Sequence, residues 1–70
     1  MTMTVQVKLN GEPRELPEGS TVVQAVAALT AAASGVAAAV NGDVVPRGSW
    51  AGTLLRDGDQ VEVVTAVQGG

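Results

Sequence analysis

From Thr4 to Leu9 the chain alternates without a break, with Val5, Val7 and Leu9 on one side and Thr4, Gln6 and Lys8 on the other. That is the period of a strand with one buried face. Asn10-Gly11 follows at once. Both residues readily take positive φ, as a two-residue type I′ turn requires, so Glu12 to Leu16 is predicted to fold back antiparallel. Pro13 cannot donate to a ladder, which places the returning strand at a sheet edge.

After Pro17-Glu18-Gly19-Ser20 the period changes. Thr21 with Gln24 three residues on forms a capping box, and Val22, Ala25, Val26 and Leu29 lay one apolar stripe along a helix. This main helix is expected to run to Ala32 or Ala33, with Ser34-Gly35 as a left-handed cap. Val36, Ala38 and Val40 then lead into a second Asn-Gly and a short strand, Val44-Val45, that ends against Pro46. The stretch "GSWAGTLL" is too short for a full helix and reads as a connector held down by Trp50 and by Leu54 or Leu55. Asp57-Gly58-Asp59 marks a tight turn. Gln60 to Val67 is the final strand, with Val61, Val63, Thr65 and Val67 on one side.

A hairpin, a crossover helix and further strands predict an α+β fold. Its one mixed sheet would have four to five strands and one main helix on one face, because the helix stripe and the strand faces bury one another. The last strand would sit beside the first. The domain is expected to span 1–66, leaving 67–70 as a flexible tail.

Composition narrows the chemistry. Seventy residues make one small domain, near the size at which a single core becomes marginal without metals or disulfides. With no Cys and no His, disulfide staples, zinc sites, thiol chemistry and imidazole catalysis drop out together, and packing has to supply the stability. Seven acidic residues against four basic ones would repel phosphate backbones and anionic membranes, so nucleic acid is not an expected partner.

Between Glu18 and Asp43 there is no charge, and that stretch is long enough for a span of roughly 20 residues. It is mostly Ala and Val, broken by Ser34-Gly35 and without anchoring Trp, Tyr, Lys or Arg, so no membrane span is expected. "MTMTVQVK" lacks the basic segment and apolar core of a secretory signal, and a cytoplasmic location is expected.

No catalytic apparatus is legible. Ser20, Ser34, Ser49 and the threonines have no His and no evident Lys base to activate them, and no Walker-type loop is present for a nucleotide. Asp57 and Asp59 flank a glycine, which suits turn chemistry, and two carboxylates alone do not make a metal site. Trp50, the sole aromatic, reads as a packing anchor. What remains is the end, Gly69-Gly70. A terminal carboxylate with a pKa of about 3.5 is ionised at neutral pH and is a nucleophile toward an activated phosphate.

Four stretches in order, "LNGEPRELPEGSTVVQAVAAL", "AVNGDVVPRGSW", "LLRDGDQVEVV" and the final "GG", resemble the ubiquitin-like β-grasp sulfur carriers. The likeness is closest to their thiamine-biosynthesis branch, the ThiS carriers, and covers essentially the whole chain. Two features depart from related carriers: the last strand has no aromatic residue near the end, and the helix is unusually rich in Ala.

The resemblance implies a relay. A ubiquitin-activating-like (ThiF-like) adenylyltransferase would use ATP to convert the Gly70 carboxylate to an acyl adenylate, and sulfur, from a donor such as a cysteine desulfurase, would replace AMP to give a thiocarboxylate. A thiazole synthase (ThiG-like) would take the sulfur for ring formation. ATP and magnesium would belong to the partner, and the chain itself would bind no cofactor and act as a co-substrate, not an enzyme.

Gly70 would carry the sulfur, with Gly69 and Gln68 giving access. The reacting atom must come within about 3.5 Å of its acceptor, and a Cβ on either glycine would widen the tunnel needed. Val67 to Gly70 can extend by roughly 13 Å, enough to reach into a buried site. Arg47, Leu54, Val61 and Val63 are the candidate partner contacts, with Val61, Val63, Leu54 and Leu55 fitting core and partner surface alike. Molybdopterin synthase small subunits share the fold and the diglycine end, although the short length and the Val-Pro-Arg…Trp stretch favour the thiamine branch. A β-grasp module that only binds is disfavoured by the acidic balance and the "GG" end. Ubiquitin-like conjugation needs the same activated carboxylate and stays open.

Overall fold

The computed structural model describes residues 3–30 and 35–65. Five strands form one sheet in the order β2-β1-β5-β3-β4, comprising β1 (Thr4–Leu9), β2 (Glu12–Pro17), β3 (Val36–Val40), β4 (Asp43–Val45) and β5 (Gln60–Thr65). Helix α1 (Val22–Leu29) and a 3-10 helix (Arg47–Gly52) are the other elements among the described residues. The sheet is mixed: β1 and β5 run parallel at its centre, and every other pairing is antiparallel. The expected fold class and the neighbouring first and last strands are both found.

Local chemistry accounts for the two hairpins. Asn10 and Gly11 have φ of 51° and 84°, and Asn41 and Gly42 have 52° and 87°, the double positive φ of a type I′ turn. β2, with Pro13, is an edge strand as its missing amide hydrogen demands. In the Asp57-Gly58-Asp59 turn, Gly58 has a φ of 88°. The carboxylates serve the backbone there: Asp57 Oδ1 accepts from the Gln6 amide at 2.7 Å and Asp59 Oδ2 from the Arg56 amide at 2.9 Å.

α1 begins where the capping box places it. Gln24 Oε1 accepts from the Thr21 amide at 2.6 Å, and Thr21 Oγ1 accepts from the Val23 amide at 3.3 Å. The Val22 amide finds the Thr53 carbonyl at 3.1 Å, which ties the connector to the helix N-terminus. Replacing Thr21 with Ala is expected to cost about 1 kcal/mol, seen as a lower urea midpoint with an unchanged slope.

The helix ends earlier than its alanines suggest. Leu29 is its last residue, and Thr30 turns extended at φ −152° and ψ 148° while its amide still donates to the Val26 carbonyl. A β-branched residue fits that extended backbone, and the next positions of the stripe, Ala32 and Ala33, would offer the core only methyl groups. Those residues, and Ser34, lie outside the described residues. Gly35 does have positive φ, 71°, but stands directly ahead of β3, not at the end of α1.

One core joins the layers. Val5, Val7, Leu9 and Leu16 from the first hairpin, Ala38, Val61 and Val63 from the other strands, and Val22, Ala25 and Val26 from α1 pack together, with Leu29 half-buried beside them. Trp50 and Leu55 close the core from the connector. The Trp50 indole N–H donates to the Val45 carbonyl at 2.8 Å, so the sole aromatic is an anchor with its polar atom satisfied. Ser20 is the one buried polar residue among the described residues, and its hydroxyl donates to the Pro17 carbonyl at 2.6 Å. Among the described residues the uncharged stretch before Asp43 contributes α1, β3 and a turn, and no helix there is long and apolar enough to cross a membrane.

Candidate functional site

β5 leads to the tail. It is held between β1 and β3 at its start and pairs with β3 as far as Thr65, its last residue among those described. Gln68, Gly69 and Gly70, the expected acceptor and its access, lie outside the described residues, as does the expected end of the last strand at Val67.

The four candidate partner contacts do not share a surface. Val61 and Val63, at 0% and 7% exposed, belong to the core. That corrects their nomination: β5 is a central strand, and α1 covers the face on which both residues stand. Arg47 is exposed on the helix side, with its guanidinium 5.5 Å from the centre of the Trp50 ring, a cation–π distance. Leu54 is 59% exposed and Leu55 3%, so Leu55 pins the connector and Leu54 is free for contact.

The sheet face away from α1 carries apolar residues that were not nominated. Val64 lies opposite Ala37, Ala39 opposite both Glu62 and Val44, and these side chains line one shallow groove. Val44 and Val64 are 74% and 65% exposed. The two exposed valines and the alanines between them, with Glu62 among them, leave apolar side chains uncovered on this face. The signal was present in the sequence as Val44-Val45 and Val63-Val64, since two successive valines on a strand must point one to each face.

A second unforeseen feature lies in the turns. Beyond Leu9 the β1 backbone departs into its hairpin, and the Asn10 carboxamide takes its place against β5. Asn10 Oδ1 accepts from the Val63 amide at 2.7 Å and Nδ2 donates to the Val63 carbonyl at 3.1 Å. Asn41 does the same at the start of the strand, accepting from the Gln60 amide at 3.0 Å and donating to Asp59 Oδ1 at 3.0 Å. Each Asn thus shapes a turn with its backbone and grips β5 with its side chain.

The ThiS family model matches residues 7–70, through both terminal glycines. The chain belongs to the ThiS family. It is 32% identical over 66 residues to the sulfur carrier protein ThiS of Escherichia coli (strain K12), covering 94% of this chain and 100% of that one. The sulfur carrier protein ThiS of Thermus thermophilus is 42% identical over 64 residues, 91% of this chain and 98% of its own. Among solved structures, the thiamine biosynthesis protein ThiS of Geobacter metallireducens superposes with a TM-score of 0.77 at 32% identity over 94% of this chain, which agrees with the β-grasp sheet order. A thiazole synthase of Magnetococcus marinus is 36% identical over 66 residues, which make up 20% of that protein. A stretch similar to this chain therefore makes up one fifth of that longer protein.

Proposed function

We propose that this chain is a sulfur carrier for thiazole formation in thiamine biosynthesis, with Gly70 as the acceptor. The observation that carries the reading is the family match, which continues to the last residue, together with relatives that are named sulfur carriers. In the first step a Gly70 carboxylate oxygen attacks the α-phosphorus of ATP in an adenylyltransferase, and pyrophosphate leaves. A persulfide on a donor such as a cysteine desulfurase then attacks the acyl carbon and displaces AMP, and a thiol cleaves the resulting acyl disulfide at the donor's sulfur, forming a disulfide with the donor and releasing the thiocarboxylate. The adenylyltransferase supplies ATP and magnesium. This chain supplies a carboxylate on a thin lead, the one group its composition leaves for the chemistry.

A thiazole synthase is the proposed acceptor of the sulfur. The likeness to one fifth of the Magnetococcus marinus thiazole synthase supports this pairing, since joining a carrier to its acceptor raises their effective concentration. The adenylyltransferase is proposed to dock on the open sheet face, because Val64 stands on the strand that delivers the tail. Val64→Asp would place a charge in that apolar contact. It is expected to raise the KM of the adenylyltransferase for this protein by roughly tenfold, with no loss of melting temperature because Val64 is exposed.

The test is to incubate the protein with ATP, a sulfur donor and the adenylyltransferase, then measure the intact mass. The reading expects the gain of one oxygen replaced by sulfur. An isopeptide to a lysine of another protein would point to conjugation instead, transfer to a pterin precursor would point to molybdopterin synthesis, and an unchanged mass would mean a module that only binds.

A further inference from the structure

We propose that Asn10 is a positioning residue for the C-terminal tail: its carboxamide latches Val63 where β1 has ended, so that the chain leaves β5 in one direction. The inference rests on the carrier reading for its functional half and on geometry alone for its structural half.

The β1–β5 ladder contains only Lys8↔Gln60 and Leu9↔Val61. The Asn10 amide still donates to the Val61 carbonyl at 2.9 Å, after which the backbone turns away at φ 51°. Without the side chain, Val63 would keep no partner on the β1 side, and the last residues of β5 would hang from β3 alone through Val36↔Thr65 and Ala37↔Val64. An edge supported on one side splays more readily than a strand held on both. The Asn10 carboxamide presents a donor and an acceptor in the geometry of a peptide group, and Val63 engages both. One residue thus extends the parallel ladder by a rung, two residues before Thr65.

Positioning matters because the tail multiplies any error at its root. The acyl carbon must arrive within a fraction of an ångström of its target, and a misplacement of about 1 Å can cost on the order of a hundredfold in rate. The five residues 66–70 can reach roughly 17 Å, so a modest change of angle at Thr65 moves the far end by several times that tolerance. A latched exit increases the share of docked complexes in which the tail meets the opening.

The test uses the full chain in three forms: the parent protein, Asn10→Gly and Thr21→Ala. Glycine keeps the positive φ of the turn and removes only the latch, while Thr21→Ala weakens the fold without touching β5. Native-state amide exchange is read residue by residue, and sulfur loading by the adenylyltransferase is measured as kcat and KM. In Asn10→Gly, exchange at Val63, Val64 and Thr65 is expected to rise by roughly tenfold or more over Thr21→Ala, with Val5 and Val7 no faster than in that control. Loading is expected to lose several-fold in kcat at unchanged KM, since the docking face is intact.

Exchange at Val63–Thr65 no faster than in Thr21→Ala would overturn the latch. Faster exchange with an unaltered kcat would overturn its positioning role. Failure of the parent protein to load at all would count against the carrier reading, and the exchange data would still decide the latch.

Discussion

Removing Gly70 is expected to eliminate sulfur loading while leaving the melting temperature where it was. The shortened chain still ends in an ionised carboxylate on a glycine, so the reactive group survives; only its position changes. One residue of extended chain is worth roughly 3.3 Å, as large as the whole distance of about 3–3.5 Å at which the reacting atoms must meet. A docked domain cannot make up that shortfall without giving up its own interface. Changing Gly69 to Phe tests access, not reach, and the same loss is expected on the carrier reading, in which the side chain would have to enter the partner's site with the tail. Intact mass after incubation with ATP, sulfur donor and adenylyltransferase reads both variants, and a thermal melt shows that the fold remains.

Trp50→Ala carries the largest expected cost to stability. Truncating a buried aromatic typically costs about 3–5 kcal/mol, against a total of roughly 4–10 kcal/mol for a domain of 70 residues. Trp50 is 7% exposed, and with it go the bond to the Val45 carbonyl and the support under the Arg47 guanidinium. Circular dichroism should show the melting temperature falling by more than about 12 °C, given some 4–8 °C per kcal/mol in a domain this small. Leu54→Ala, four residues along, should move it little, since an exposed side chain contributes within about 0.5 kcal/mol. Leu55→Ala should behave like a core truncation, because Leu55 and not Leu54 is buried.

Most of the architecture was legible because it is written locally. The strict alternation of β1, the two Asn-Gly turns, the Thr21 and Gln24 box and the Asp57-Gly58-Asp59 turn each depend on residues within a few positions of one another, and each is found as expected. The misreadings arise where partners are far apart. Val61 and Val63 alternate as any half-buried strand does, and nothing local reveals that β5 is central with α1 covering their face. The exposed valine of the same run is Val64.

The second role of Asn10 is invisible for the same reason. Its partner is 53 residues away, and the dipeptide Asn-Gly is already fully explained by the turn. The end of α1 was overestimated because intrinsic propensity favours alanine wherever it stands, whereas Thr30 and the lack of further large side chains decide where the helix stops. The proposed reactive end was legible only through family resemblance, since a diglycine by itself has no chemistry beyond its carboxylate.

The most direct test is a fragmentation mass measurement on the full chain after incubation with ATP, a sulfur donor and the adenylyltransferase. The account predicts one oxygen exchanged for sulfur in the terminal fragment containing Gly70, dependent on ATP and lost again when thiazole synthase and its substrates are added. A chain that stays unmodified, or that carries the sulfur on any fragment lacking Gly70, would contradict it.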